Sequence, residues 1–229
     1  MKKSIIILII SVTIVLLVLS SLVVFASKEN QAPKLEDKVL QEIDYLDKYM
    51  VSLLKNFGDN TNWELVQKQI EELYGTWNTI SIDLISLNIN SNLILNFNDF
   101  LNSGIQNIKS EDKQKSMESI IRLYQLLPQY SESFNPNGKE TNVLKIKSNV
   151  VAAYVNVSNE KWQEAQNQLT EATNQFTNLL NSVGQDFHNQ TAVNQCYVMI
   201  NELNKAVGLQ DKDIFFIEYQ NLIEKMEVI

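Results

Sequence analysis

Between Trp63 and Leu87 apolar residues recur in alternating steps of three and four: Trp63, Val66, Ile70, Leu73, Trp77, Ile80, Leu84 and Leu87. At 3.6 residues per turn this spacing puts all eight along one side of a helix. The same rhythm in Val39, Ile43, Leu46, Met50, Leu53 and Phe57 predicts a helix before it. Gly58 to Asn62 separates the two, with a glycine suited to a left-handed cap and then Thr61 or Asn62 to open the next helix. After a turn at 88–92, a third helix is expected to carry Leu93, Phe97, Phe100 or Leu101, Gly104 and Ile108. Ser110-Glu111-Asp112 reads as a cap for a fourth helix through Met117, Ile120, Leu123, Tyr124 and Leu127.

Pro128 should stop that helix, and residues 128–140 hold Ser131, Ser133, Asn135, Pro136, Asn137 and Gly138. This density of breakers suggests a linker. The apolar pattern then restarts. Val143, Ile146, Val150, Ala153 and Val157 match the first helix at an offset of 100. From Trp162 the offset is 99, pairing Trp63 with Trp162, Trp77 with Phe176, Leu101 with Ile200, and Asp112-Lys113 with Asp211-Lys212. Trp63 to Leu127 shares only nine identities with its partner stretch, but tryptophans and Asp-Lys pairs hold one register, as an internal duplication requires. The expected fold is all-α: an N-terminal transmembrane helix followed by two similar antiparallel four-helix units. Their boundaries fall at 1–26 (anchor), 27–36 (tether), 37–127 (unit 1), 128–140 (linker) and 141–229 (unit 2). The alternative is one stacked array of helical hairpins. Glu160 to Ala165 has the flavour of a tetratricopeptide repeat, although a 99-residue period is far from about 34.

Lys2 and Lys3 precede an apolar run from Ile5 to Ala26, broken only by Ser11, Thr13, Ser20 and Ser21. As a helix, about 22 residues reach about 33 Å, enough for a hydrocarbon core of about 30 Å. The run outlasts a secretory h-region, and the lysines should hold the N-terminus in the cytoplasm. A single-pass membrane protein with an extracytoplasmic body is expected. Cleavage after Val24-Phe25-Ala26, giving a secreted protein, is the alternative.

Composition narrows the partners. The chain has 229 residues, 45% of them hydrophobic, with six Gly and three Pro, too few turn formers for a many-stranded sandwich or barrel. Lys2 and Lys3 aside, 17 basic residues stand against 27 acidic, a net charge of −10. That charge repels phosphate backbones and argues against nucleic acid; it also opposes adsorption to anionic lipid, so the membrane link would come through residues 1–26. With Cys196 the only cysteine, no intramolecular disulfide can form.

Candidate chemistry is sparse. His188 is the only histidine, with Asp186 two residues away on another helix face, and reads as a turn residue. Cys196 lies on an apolar stripe and reads as a buried thiol. Asp112 and Asp211 each precede the last helix of a unit and suit N-caps; Asp211-Lys212-Asp213 lacks the glycine and terminal Glu of a calcium loop. Neither a Gly-rich phosphate loop nor a Gly-x-Ser-x-Gly elbow occurs. The reading is a protein without catalysis, cofactor or metal. Trp63, Trp77, Trp162 and Phe176 on the helix seams are core aromatics or contacts for a partner helix.

Met1–Ala26, Trp63, Trp77 and Asp112-Lys113 together resemble a group of membrane-anchored all-helical domains of unknown function from spore-forming Gram-positive bacteria. With Trp162, Phe176 and Asp211-Lys212 this chain would be a double-unit version; Phe176 departs from the second tryptophan. The resemblance implies location and fold but transfers no active residues. The expected function is a membrane-tethered extracytoplasmic interaction or scaffold protein, acting on a protein partner or by self-association. The alternative is a small-ligand binding or sensor module with its site between the units.

Overall fold

The amphipathic segments become helices, and four of them open on side-chain caps that their flanks encode. The computed structural model describes residues 34–58, 60–182 and 187–227, with side chains at 34–58, 60–180 and 191–227. Its helices are α1 (Leu35–Lys55), α2 (Trp63–Ser86), α3 (Ser91–Lys109), α4 (Lys113–Tyr124), α5 (Leu127–Phe134), α6 (Lys139–Ser158), α7 (Trp162–Ser182), α8 (Phe187–Leu209) and α9 (Lys212–Met226). The side chains of Asn62, Asn90, Asp112 and Asp211 accept backbone N–H bonds at the starts of α2, α3, α4 and α9. Such caps are worth about 1 kcal/mol each.

Four connections share one construction. Asn88, Glu111, Glu160 and Gln210 adopt positive φ of 54° to 59°, each between a helix end and the next cap or helix start. The residue that follows each one donates its N–H five residues back: Ile89 to Leu84, Asp112 to Asn107, Lys161 to Asn156 and Asp211 to Ala206. A left-handed non-glycine residue costs about 1–2 kcal/mol, and the orphan carbonyls it satisfies offset that.

Short turns force neighbouring helices to run antiparallel and pack. Thus α2 packs on α3, α3 on α4, α6 on α7, α7 on α8 and α8 on α9, and α9 returns to α6. Across the middle of the chain α4 and α5 pack on α6. The seams predicted from spacing are the core: Val39, Ile43, Leu46 and Met50 of α1, Val66, Ile70, Leu73, Ile80 and Leu84 of α2, and Ala165, Leu169, Ala172 and Leu179 of α7 are buried.

Residues 128–140, expected to be a linker, instead hold α5, with Leu127, Pro128, Tyr130 and Ser131 buried. Pro128 fits because a first-turn residue has no intrahelical N–H bond to lose. The Ser131 and Thr141 hydroxyls bond at 2.5 Å, tying α5 to α6. Val39–Ile229 accordingly form one compact unit. α1 begins at Leu35, so the expected tether is helical from there. The anchor and cleavage readings concern residues outside the described ones. Among the described residues no helix is long and apolar enough to cross a membrane.

Below the α2–α3 turn lies an aromatic core. Trp77 stacks on Phe97 with ring centroids 3.7 Å apart, and Tyr130 leans on Trp77 at 5.8 Å. Trp77 Nε1–H donates to Asn98 Oδ1 at 2.6 Å and the Tyr130 hydroxyl donates to the Leu93 carbonyl at 2.8 Å. Trp77→Ala should therefore destabilise the fold by about 3–5 kcal/mol through lost burial and a cavity. A urea titration followed by circular dichroism measures this, and a loss below about 1 kcal/mol would remove Trp77 from the core.

Candidate functional site

The most demanding chemistry in the body sits where α1, α4, α6 and α9 meet. Asp47 lies on the apolar stripe of α1 and Lys147 on that of α6, one hundred residues apart in sequence, and they form a buried ion pair. The second carboxylate oxygen of Asp47 accepts from the Tyr124 hydroxyl of α4. Lys147 Nζ also donates to Glu227 at 2.9 Å, just past α9, and Glu227 reaches Lys48 at 3.6 Å. The Tyr219 hydroxyl is buried in α9 without a hydrogen-bond partner, its ring stacked on Tyr154 at 4.5 Å.

Burial alone would lower the Lys147 pKa, but the adjoining Asp47 and Glu227 carboxylates reverse this and hold the ammonium above the ordinary lysine value. Burial, with the Asp47 carboxylate next to it, pushes the Tyr124 phenol well above its usual value, so it stays a neutral donor. The cluster contains no nucleophile poised by a base, and what it can do is fix four helices in one register. Helical spacing alone does not reveal it. The available signal is a charge inside each apolar stripe, Asp47 between Ile43 and Met50 and Lys147 between Val143 and Val150.

The aromatics expected to matter from sequence do not gather into one site. Trp77 and Phe176 are fully buried. Trp63 is half-buried at the start of α2, edge-on to Phe57 at 5.9 Å, and Trp162 is half-buried at the start of α7. Cys196 is buried in α8 and its thiol is pushed up to about 12 by burial. The side chain of His188 lies outside the described ones. Asp112 and Asp211 are caps; the Lys115 backbone N–H, then its ammonium, holds the Asp112 carboxyl below the usual range. Among the described residues no group of three His, Cys, Asp or Glu is placed to hold a metal ion.

Positions related by the offset of 99 to 100 in sequence make similar bonds. Lys113 Nζ donates to the Gly58 carbonyl at 2.9 Å, and Lys212 Nζ to the Ser158 carbonyl at 3.4 Å. The outer faces of α4 and α9 differ. α9 buries Phe215, Tyr219, Leu222 and Met226 on one side and exposes Ile214 and Ile217 on the other, Ile217 at 61%. The positions matched to them at an offset of 99 are Lys115 and Glu118 of α4. Glu118 binds Lys161 at 2.7 Å, and Glu118 borders a groove of about 600 Å³ between α3 and α4, with Asn102, Gln106, Asn107 and Arg122 along it. Neither Ile214 nor Ile217 is visible from the seam spacing, which marks the inner stripe alone.

Comparison with family models, curated proteins and solved structures finds no match to this chain.

Lys147→Met would leave Asp47 buried without its cation and should cost roughly 3–5 kcal/mol, most of it recovered in Asp47→Leu/Lys147→Met. Because the folded-state lysine pKa is raised, its stabilisation is complete below about pH 10.4 and is lost as pH rises through the folded value. Denaturant midpoints of wild type and double variant, taken across that range, should converge or cross above it. Midpoints that stay parallel would show that Lys147 does not titrate with the fold.

Proposed function

We propose that this protein is a membrane-tethered, extracytoplasmic helical interaction protein of the cell envelope that works without catalysis or cofactor. It would be built of two similar four-helix units joined at the Asp47–Lys147 cluster and held by a signal anchor at residues 1–26. The two-unit reading is supported by the matched Lys113 and Lys212 bonds, the matched Asp112 and Asp211 caps and the matched left-handed residues Glu111 and Gln210. The tether reading rests on the length of the apolar run and its two lysines.

One observation carries the interaction reading: the exposed Ile214 and Ile217 on α9. A surface helix ordinarily turns polar residues outward. The matched Lys115 and Glu118 are charged, so nothing in the helix pattern itself calls for isoleucine at these positions. Exposed apolar side chains rimmed by polar ones mark association surfaces. The rim here is acidic, with Asp213 and Glu224 on one flank and Glu218 beside Lys225 on the other, as the helical spacing dictates. A second reading, a hydroxyl-rich small ligand, is favoured by the amide-lined groove between α3 and α4.

The test is co-purification of the full chain from gently solubilised membranes, comparing wild type with Ile214→Lys/Ile217→Glu, which installs the residues of the first unit. The expected result is a protein partner, or a second copy, held by wild type and lost from the variant while its helicity is unchanged. Equal recovery with both would overturn the α9 site.

A further inference from the structure

The groove between α3 and α4 has no apolar side chain in its lining. Sites for apolar ligands are lined mostly by hydrocarbon, with a few polar groups to orient the guest. Here amides, hydroxyls and charges make the walls, so the space suits a ligand that is polar on every side. The hydroxyls of Ser103 and Ser119 are spent on carbonyls of their own helices at 2.8 and 2.9 Å, and Asn107 Nδ2 donates across to the Ser119 hydroxyl at 2.9 Å. Asn102 and Gln106, one turn apart on α3, are different. Their side-chain amides make no hydrogen bond among the described residues. Each offers two donors and an acceptor, the mixed set that neighbouring hydroxyl groups satisfy.

Three charged side chains border the groove, and two already have partners. Lys115 Nζ lies 3.0 Å from Asp112, and Glu118 lies 2.7 Å from Lys161. The third, Arg122, forms no ion pair or hydrogen bond among the described residues; Asp99, one turn along α3 from Ser103, is not paired with it. The Arg122 guanidinium stands over the Phe100 ring, 5.8 Å from its centre, which restrains it at the edge of the groove. Arg122 is the only arginine among 19 basic residues, and it lacks a carboxylate in a chain where acids are in excess. A guanidinium presents a planar fork that fits a carboxylate by two parallel bonds, which an ammonium cannot match. Helix packing does not call for this polar set, since the positions matched to Lys115, Glu118 and Arg122 at an offset of 99 are Ile214, Ile217 and Asn221.

We infer that the α3–α4 groove binds a sugar acid, with Arg122 taking the carboxylate and the Asn102 and Gln106 amides taking the hydroxyls. This deepens the hydroxyl-rich ligand reading given above and rests on it. One unpartnered guanidinium matches one negative charge. A phosphate, with nearly twice that charge, would be repelled more strongly by the acid excess of the body. The groove is open, and its hydrogen bonds are exchanged for bonds with water, so binding is weak and the charged contact supplies most of its selectivity.

The full chain, kept free of sugar-based detergent, is titrated with glucuronate, glucose and acetate at constant ionic strength, and binding is followed by saturation-transfer NMR. Arg122 and Gln106 are exposed, so Arg122→Gln and Gln106→Ala should keep the helicity of wild type, which circular dichroism checks. The expected result is that glucuronate binds about tenfold more tightly than glucose or acetate, and that Arg122→Gln brings it down to the level of glucose. Arg122→Lys, which keeps the charge and loses the fork, should recover part of that loss, and Gln106→Ala should weaken both sugars. Glucuronate that binds no better than glucose, or that is indifferent to Arg122→Gln, overturns the carboxylate assignment and leaves the hydroxyl-rich reading standing. Acetate bound as tightly as glucuronate overturns it too, because an anion contact alone would then account for the binding. Absence of binding by either sugar overturns both.

Discussion

A charge removed from water must find its counterion, and this fold satisfies that demand in its interior. Asp47 and Lys147 are both buried, and the desolvation of each ion is worth several kcal/mol in real proteins. That loss is recovered only if α1 and α6 meet in the register that brings carboxylate and ammonium together, with Tyr124 and Glu227 satisfying the remaining valences. Apolar stripes alone would tolerate a slide of one helical turn along a neighbour. The ion pair does not, so the relation among α1, α4, α6 and α9 is fixed by chemistry as well as by shape.

Much of this architecture is written in local pattern. The three-and-four steps locate α1, α2 and α7, and the Asp-Lys pairs mark the starts of α4 and α9, because helix periodicity and caps are properties of a few consecutive residues. The 128–140 segment misleads for the same reason. Its prolines, serines and asparagines carry loop propensity, yet burial of Leu127 and Tyr130 against distant helices turns Leu127–Phe134 into a helix. Tertiary contacts also decide the Asp47 cluster, since a charge within an apolar stripe shows a conflict locally while its resolution lies one hundred residues away. The seam positions of Trp63, Trp77, Trp162 and Phe176 are legible from spacing. Their exposure is not, because Trp63 and Trp162 at helix starts extend past the buried layer that encloses Trp77 and Phe176.

Positions related by the offset of 99 share caps, left-handed turn residues and lysine-to-carbonyl bonds, each a property of a few consecutive residues. Buried positions so related change freely: Phe97 stands against Cys196, Gly104 against Leu203 and Ser116 against Phe215. Cores accept such exchanges when total volume and patterning are kept. Ile214 and Ile217, against Lys115 and Glu118, are different in kind, because no core contact accounts for apolar side chains that stay exposed.

The long span of the Asp47–Lys147 bond also bears on how the chain is made. Synthesis runs from the N-terminus, so α1 is complete while its ionic partner is still one hundred residues from existing. In that interval Asp47 stays hydrated, whereas the Trp77–Phe97 stack, between adjacent helices of one hairpin, needs only a short loop to close. The nascent first half can hold an early core with its ionic face still wet. Dehydration of that face waits for α6, and the ring of partners around Lys147 closes only when α9 delivers Glu227.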